Sequence, residues 1–274
     1  MFGSSQWMYN SGGFEIEQSL RLEKDNQSNL TYIPTTYGSR KTFTVSMWIK
    51  PSDHQDTPTS DSFIFTGGAY LDAGGQYFAI QWKTYDDTYH FLNIEHSGQG
   101  FRTVPLIRDV SSWYHVVVAV DTDHNSSDER IICYINGARI DMSGPSPDKG
   151  QELIINTPEL PIYIGNINLG TIANPSFSRP YGGYIADVYF ISNQQLTPDY
   201  FGEVNESYGN WEPKEFAIDD TPKGTHDLND FHLDFKGGTP LGDSSSTTDI
   251  FGDSSIRAFY KLDGNFNDET NNYN

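Results

Sequence analysis

The stretch WYHVVVAVDTDHNSSDERIICYINGARI, Trp113 to Ile140, decides the fold. Its first apolar run, HVVVAV, has no polar residue at alternate positions. Both faces of that strand are expected to be covered, as in a strand between packed layers. The second run, IICYI, is β-branched and aromatic, which suits a strand. Asn136-Gly137 then leads into ARIDM, and both residues tolerate positive φ, so the pair predicts a two-residue hairpin turn. The stretch reads as three antiparallel strands in a meander, with the acidic DTDHNSSDER as the longer turn between the first two.

The same period recurs outward from there. In KTFTVSMWIK, Phe43, Val45, Met47 and Ile49 share one face and Thr42, Thr44, Ser46 and Trp48 the other. SLRLEK (19–24), SFIFT (62–66), YFAIQW (77–82), YHFLNI (89–94), ELIIN (152–156), PIYIG (161–165), GGYIADVYFIS (182–192) and FHLDF (231–235) are further strand candidates. Turn formers bound them. Helix signals are scarce. In LTPDYFGE, Thr197 suits an N-cap, Pro198 the first helical position and Asp199 the dipole, which predicts one or two turns. Many short strands with little helix predict an all-β fold, a two-sheet antiparallel jelly-roll sandwich.

Composition bounds the function. The 274 residues carry 37 acidic against 17 basic side chains, a formal net charge of −20. Such a surface repels nucleic acid and anionic membranes. No apolar run is long enough to span a bilayer, and the N-terminus has no signal-peptide pattern, so a soluble chain without membrane insertion is expected. The one cysteine, Cys133, lies in an apolar run and reads as a buried, inert thiol. No intrachain disulfide can form, which fits a reducing compartment or a particle assembled in one.

The chain divides by composition. Residues 1–18 form a Gly/Ser-rich arm with Phe2, Trp7, Met8 and Tyr9, large apolar anchors suited to docking on a neighbouring subunit. Residues 19–202 form the sandwich. Residues 203–236 are a polar, acidic extension that completes or flanks it, and 237–254 are a linker. Residues 255–274, SIRAFYKLDGNFNDETNNYN, echo SLRLEKDNQSN near the start and read as the first strand of a second, related unit.

In order along the chain, SLRLEK, RKTFTVSMWIKPS, SSWYHVVVAVDT, YINGARI, PIYIGN and YGGYIADVYFISNQQLTPDYFGE resemble the successive strands of a laminin-G-like domain, the concanavalin-A-like lectin/glucanase jelly roll. With the WEPK segment and FHLDF, the set resembles structural proteins of tailed bacteriophages. The resemblance covers roughly residues 17 to 236. It implies carbohydrate or protein recognition by a fibre, tail or capsid-decorating component. The expected partners are other virion proteins, through the N-terminal arm, host-surface glycans, and further copies of the chain in a homo-oligomer. The implied location is the virion, assembled in the host cytoplasm.

No catalytic constellation stands out. A glycosidase needs two carboxylates across a cleft, and related glucanases carry Glu-x-Asp-x-x-Glu on one strand. FEIEQS offers Glu15 and Glu17 without a third carboxylate, and YIADVYF offers Asp187 alone, so both read as solvated strand faces. Histidines 54, 90, 96, 115, 124, 226 and 232 show no zinc spacing, and His115 reads as a packed, hydrogen-bonded residue. The GG pairs at 67, 74, 182 and 237 suit turns rather than a phosphate loop. The expectation is a non-catalytic protein without a metal or cofactor, with a glycan-cleaving depolymerase and a ligand-free assembly protein as the alternatives.

Calcium is the one cofactor the sequence raises. Asp121, Asp123, Asn125 and Asp128 start like an EF-hand loop, but the sixth and twelfth positions are Ser126 and Ile132. Asp263, Asn265, Asn267 and Asp268 in DGNFNDE alternate as oxygen donors. Hairpin solvation is the reading favoured for both. Tyr85 and Tyr89, beside Asp86 and Asp87, with Tyr70 and Tyr181 among glycines, are the candidate aromatic platforms for a sugar. None singles out a carbohydrate-binding site.

Overall fold

The computed structural model describes residues 14–24, 27–52, 61–86, 89–96, 98–217 and 228–236. Along the chain the strands are β1 (Leu20–Leu22), β2 (Leu30–Tyr32), β3 (Thr42–Pro51), β4 (Asp61–Gly67), β5 (Phe78–Asp86), β6 (Tyr89–His96) and β7 (Gln99–Thr103). They continue as β8 (Tyr114–Asp121), β9 (Ile131–Ile135), β10 (Ala138–Ile140), β11 (Met142–Ser143), β12 (Ile162–Ile164), β13 (Ile167–Asn168) and β14 (Phe177–Ser178). The last are β15 (Gly183–Ser192), β16 (Gly202–Val204), β17 (Trp211–Pro213) and β18 (Phe231–Leu233).

Two seven-stranded antiparallel sheets form the sandwich. The first runs β1-β15-β3-β8-β9-β10, with β18 also on β15; the second runs β11-β7-β6-β5-β4-β12-β2. The Trp113–Ile140 meander is β8, β9 and β10 as expected. Its Asn136-Gly137 turn has φ of 49° and 78°, and Ala138 pairs with Ile135. β15 carries β3 along one side, while β1 and β18 share the other: Leu20 lies opposite Ile185, and Leu233 opposite Val188. A bulge between Ala186 and Tyr189 separates those two pairings, and Asp187 within it has φ of 50°.

The period-two pattern becomes the core. Phe43, Val45, Met47 and Ile49 of β3 and Val116, Val118 and Val120 of β8 join Phe65, Ile80, Leu92 and Ile94 of the second sheet in one buried cluster. Each such side chain contributes about 1.5–3 kcal/mol by leaving water. The other side of the first sheet is buried too. Val117, Tyr189 and Ile191 pack under Leu196, Phe201 and Phe216, and Trp48 and Ala186 pack with Ile16, Trp113, Phe14 and Trp211. The double-sided HVVVAV run is therefore explained by a chain segment laid across the sheet. Among the described residues no comparable apolar cover lies over the second sheet between β5 and β7, where Phe91 and Asn93 are buried, Lys83, Tyr89 and Glu95 half-buried and Gly100 and Arg102 exposed.

Two local expectations are corrected, and a third is met. ELIIN (152–156) forms no strand: Asn156 has φ of 55°, and Gly38 N–H donates to its carbonyl at 3.1 Å, so the segment crosses between sheets as coil. LTPDYFGE makes one turn as expected, a 3₁₀ turn over Pro198–Tyr200, with Thr197 at its N-cap position but without a side-chain hydrogen bond. FEIEQS is not a strand either; over 14–19 it is coil, with Ile16 anchored in the apolar cover.

Candidate functional site

Strand β6 supplies the spine of the site. Leu92 and Ile94 face the core, so period two turns Tyr89, Phe91, Asn93 and Glu95 to the outer face. At about 3.4 Å per residue this row spans on the order of 20 Å. Register adds the neighbours: Gln81 and Arg102 flank Asn93, Lys83 lies beside Phe91, and Ala79 and Gly100 flank Glu95.

Each member has a defined contact. The Arg108 guanidinium lies 4.9 Å from the Tyr89 ring centroid, and that of Arg102 lies 5.5 Å from the Phe91 centroid. Asn93 Nδ2 donates to Gln81 Oε1 at 2.7 Å, and Gln81 Nε2 donates to Glu95 Oε2 at 2.9 Å. Tyr77 Oη donates to Glu95 Oε1 at 2.6 Å. Burial first, and then that carboxylate, push the Tyr77 phenol well above its ordinary range. Asp61 is held by Lys83 at 3.3 Å and Arg179 at 3.1 Å. A Cβ at Gly100 would stand 2.7 Å from Asn93 Oδ1, so glycine there keeps the amide in place. Phe91, Asn93 and Gln81 are buried, so the groups open to a ligand are the half-buried Tyr89 ring and the exposed Arg102 and Arg108 guanidinium groups, which can stack on an apolar face and hydrogen-bond hydroxyls.

Of the aromatic platforms read from the sequence, Tyr89 belongs to this row. Tyr70 is half-buried with its ring 6.0 Å from that of Tyr77. Tyr181 is corrected: it is 1% exposed and sits in the core, unavailable to a ligand. The side chains of Tyr85 and Asp86, and Asp87 as a whole, lie outside the described residues, as do the arm anchors Phe2, Trp7, Met8 and Tyr9 and the 263–268 oxygen donors. Phe91, Asn93 and Glu95 were missed. Their alternation with Leu92 and Ile94 was the available signal.

The acidic turn is tied down by cations of the chain itself. Lys41 reaches Asp123 at 3.4 Å, Lys149 reaches Asn125 Oδ1 at 2.6 Å, and Arg130 donates to the carbonyls of His124 and Pro147. Among the described residues no group of three His, Cys, Asp or Glu could hold a metal ion. Asp187 is corrected from solvated to buried. At 2% exposure it meets His232 Nε2 at 2.6 Å, because the bulge sets it beside β18, which covers it. Glu15 is half-buried and Glu17 exposed, the latter 3.5 Å from Lys236. Cys133 is buried, and burial pushes its thiol up to about 12. Among the described residues no helix is long and apolar enough to cross a membrane.

The paired sheets and their strand order define a jelly-roll sandwich of the lectin type. The family model described as the Concanavalin A-like lectin/glucanases superfamily matches residues 24–199, and the chain belongs to that family. Similar solved structures include a heptameric SAP-like pentraxin from Limulus polyphemus, at 16% identity and TM-score 0.49 over 68% of this chain and 80% of that one. They also include the enzymatically active domain of tailspike protein 2 of bacteriophage CBA120, at 14% identity and TM-score 0.43 over 67% of this chain and 26% of that one. Domains LG4-5 of the mouse laminin alpha1 chain match at 14% identity and TM-score 0.38, over 70% of this chain and 46% of that one. No curated protein matches the chain in sequence.

Proposed function

We propose that the chain is a non-catalytic, lectin-like structural component of a phage particle that contacts host-surface glycans through the outer face of β5–β7. The observation that carries the glycan reading is the asymmetry of the sandwich. One outer face is sealed by apolar cover, and the other exposes Arg102 and Arg108 beside the half-buried Tyr89, with Phe91 and Asn93 buried. The virion setting is supported by the resemblance of the strand motifs to tailed-phage structural proteins. Fold alone does not supply it.

The non-catalytic part is supported by how the carboxylates of this face are engaged. Glu95 accepts from Tyr77 and Gln81, and Asp61 sits between two cations. A hydrolase would need one carboxyl kept as an acid facing a second across the bond to be cleaved. The test is an array of bacterial surface polysaccharides probed with the chain and with a Tyr89→Ala/Arg108→Ala double variant. Binding by the former alone is expected, with no reducing sugar released. Equal binding by both would sink the assignment of the face, and sugar release would sink the non-catalytic reading.

A further inference from the structure

We propose, resting on the glycan reading of the β5–β7 face, that its ligand is an acidic glycan whose sugars carry carboxylates, as uronic acids do. Arg102 and Arg108 receive those carboxylates. Acidic side chains outnumber basic ones 37 to 17, so a lysine or arginine of this chain has many carboxylates to choose from. Arg40, Lys41, Lys83, Arg139, Arg179 and Lys236 each hold one at 3.5 Å or less. Arg102 and Arg108 hold none among the described residues, and both are exposed.

Rings, not oxygens, hold these two groups. A ring face attracts a guanidinium but offers no oxygen to its five N–H groups. Arg102 lies over Phe91, which is buried, so the guanidinium rather than the ring meets a ligand there. Ile107 and His90 exchange backbone hydrogen bonds at 2.7 and 2.8 Å, which sets Arg108 beside Tyr89. The carboxylates of the same face are engaged elsewhere: Glu95 accepts from Tyr77 and Gln81, and Asp61 lies between Lys83 and Arg179. Asp109, next in sequence to Arg108, accepts from the Ser112 and Ser111 hydroxyls and the Ser111 N–H, which hold its carboxyl down to about 2.

Charge and geometry then select the ligand. Tyr89 and Phe91 are two residues apart on one strand face, roughly 7 Å, so the two cations can meet one extended chain of sugars laid along β6. A carboxylate is planar and accepts two parallel N–H bonds from one guanidinium. A neutral sugar of the same shape gains none of the charge term. Elsewhere the net charge of −20 repels a polyanion, which confines binding to the place where cations lack an internal partner. A densely sulfated or phosphorylated chain meets more of that repulsion than a uronate chain does.

The test uses the full chain and oligomers of galacturonate, glucuronate and alginate, each beside its counterpart with the carboxyls reduced to alcohols, and a sulfated dextran oligomer. Binding is followed by titration calorimetry. At least one uronate series should bind saturably, at least about tenfold tighter than its reduced form. Arg102→Gln and Arg108→Gln should each remove most of that preference with the wild-type melting curve. Arg102→Lys, which keeps the charge without the fork, should retain part of it. Equal binding of the reduced oligomers overturns the carboxylate assignment and leaves the glycan face standing. Tighter binding of sulfated dextran overturns it as well. A preference untouched in both glutamine variants overturns the roles of the two arginines. No binding by any uronate oligomer overturns the proposal, while the polysaccharide array decides separately whether the glycan face survives.

Discussion

Trp211 donates its indole N–H to His115 Nδ1 at 2.9 Å, across 96 residues of sequence. An indole can only donate, so His115 Nδ1 is an acceptor and its proton sits on Nε2, which faces Ser46 Oγ at 2.9 Å. Trp48 stacks on the same imidazole at 5.0 Å. This contact pins the strap carrying β16 and β17 to the sealed face of the first sheet, with His115 as a neutral joint.

That neutrality gives a pH dependence with a definite sign. Burial lowers the His115 pKa from its ordinary 6.5 to about 3. Between those values the unfolded chain binds a proton that the folded chain does not, so stability falls as pH falls. The contribution is complete above about pH 6.5 and is lost toward pH 3, at up to about 1.4 kcal/mol per pH unit. Urea unfolding at pH 7, 6 and 5 should show His115→Gln with a shallower decline than the wild type. Matching slopes would show that His115 does not titrate on unfolding.

Gly202 explains how closely the strap is drawn in. A Cβ there would lie 2.6 Å from the Trp211 ring. Gly202→Ala should destabilise by about 1–3 kcal/mol, the cost of overpacking. In a Trp211→Ala background the same change should cost much less, and the coupling measured by a double-mutant cycle should exceed about 0.5 kcal/mol. Additive penalties would mean that the clash is relieved elsewhere.

How far the sequence carried these readings depended on the range of the interaction. The Asn136-Gly137 turn and the two-sided burial of HVVVAV were legible because turn chemistry and strand period are local. The His115–Trp211 and Asp187–His232 contacts were not, since nothing in a strand's alternation names its partner 96 or 45 residues away. Asp187 misled because a bulge breaks the period: Ala186 and Asp187 both leave the core, and β18 then covers the carboxylate. ELIIN misled in the opposite sense. Leu153 and Ile155 are buried, but as coil held by side-chain and backbone bonds to Arg40 and Gly38.

The segment that returns β18 to the sandwich depends on one amide. Asn229 is fully buried; its Nδ2 donates to Asn156 Oδ1 at 2.6 Å and to the Thr36 carbonyl at 2.8 Å. Asn156 Nδ2 in turn donates to Ser192 Oγ at 2.8 Å. Asn229→Ala leaves an acceptor on Asn156 and the Thr36 carbonyl without this donor, at a cost of about 1–3 kcal/mol. Hydrogen exchange should show the loss at β18 and its pairing with Val188–Phe190 first, before the β3–β8 pair. Uniform loss across both sheets would contradict a local anchor.

The glycan-binding face makes the sharpest separation between binding and folding. Arg102 and Arg108 are exposed, each with its guanidinium over a ring face, so Arg108→Ala and Arg102→Ala should change unfolding free energy by no more than about 0.5 kcal/mol. Tyr77→Phe, by contrast, strips the Glu95 carboxylate of a donor inside a half-buried network and should cost about 1–2 kcal/mol. If the face binds glycans by stacking with guanidinium support, the two arginine variants lose affinity while keeping the wild-type melting curve. Tyr77→Phe should lower the melting temperature, and it should lower affinity only through the Glu95–Gln81–Asn93 chain that positions the amides. Surface plasmon resonance on immobilised host polysaccharide, read beside calorimetry of the same samples, distinguishes the two patterns. Arginine variants that bind as tightly as the wild type would remove the guanidinium groups from recognition and leave Tyr89 to carry it alone.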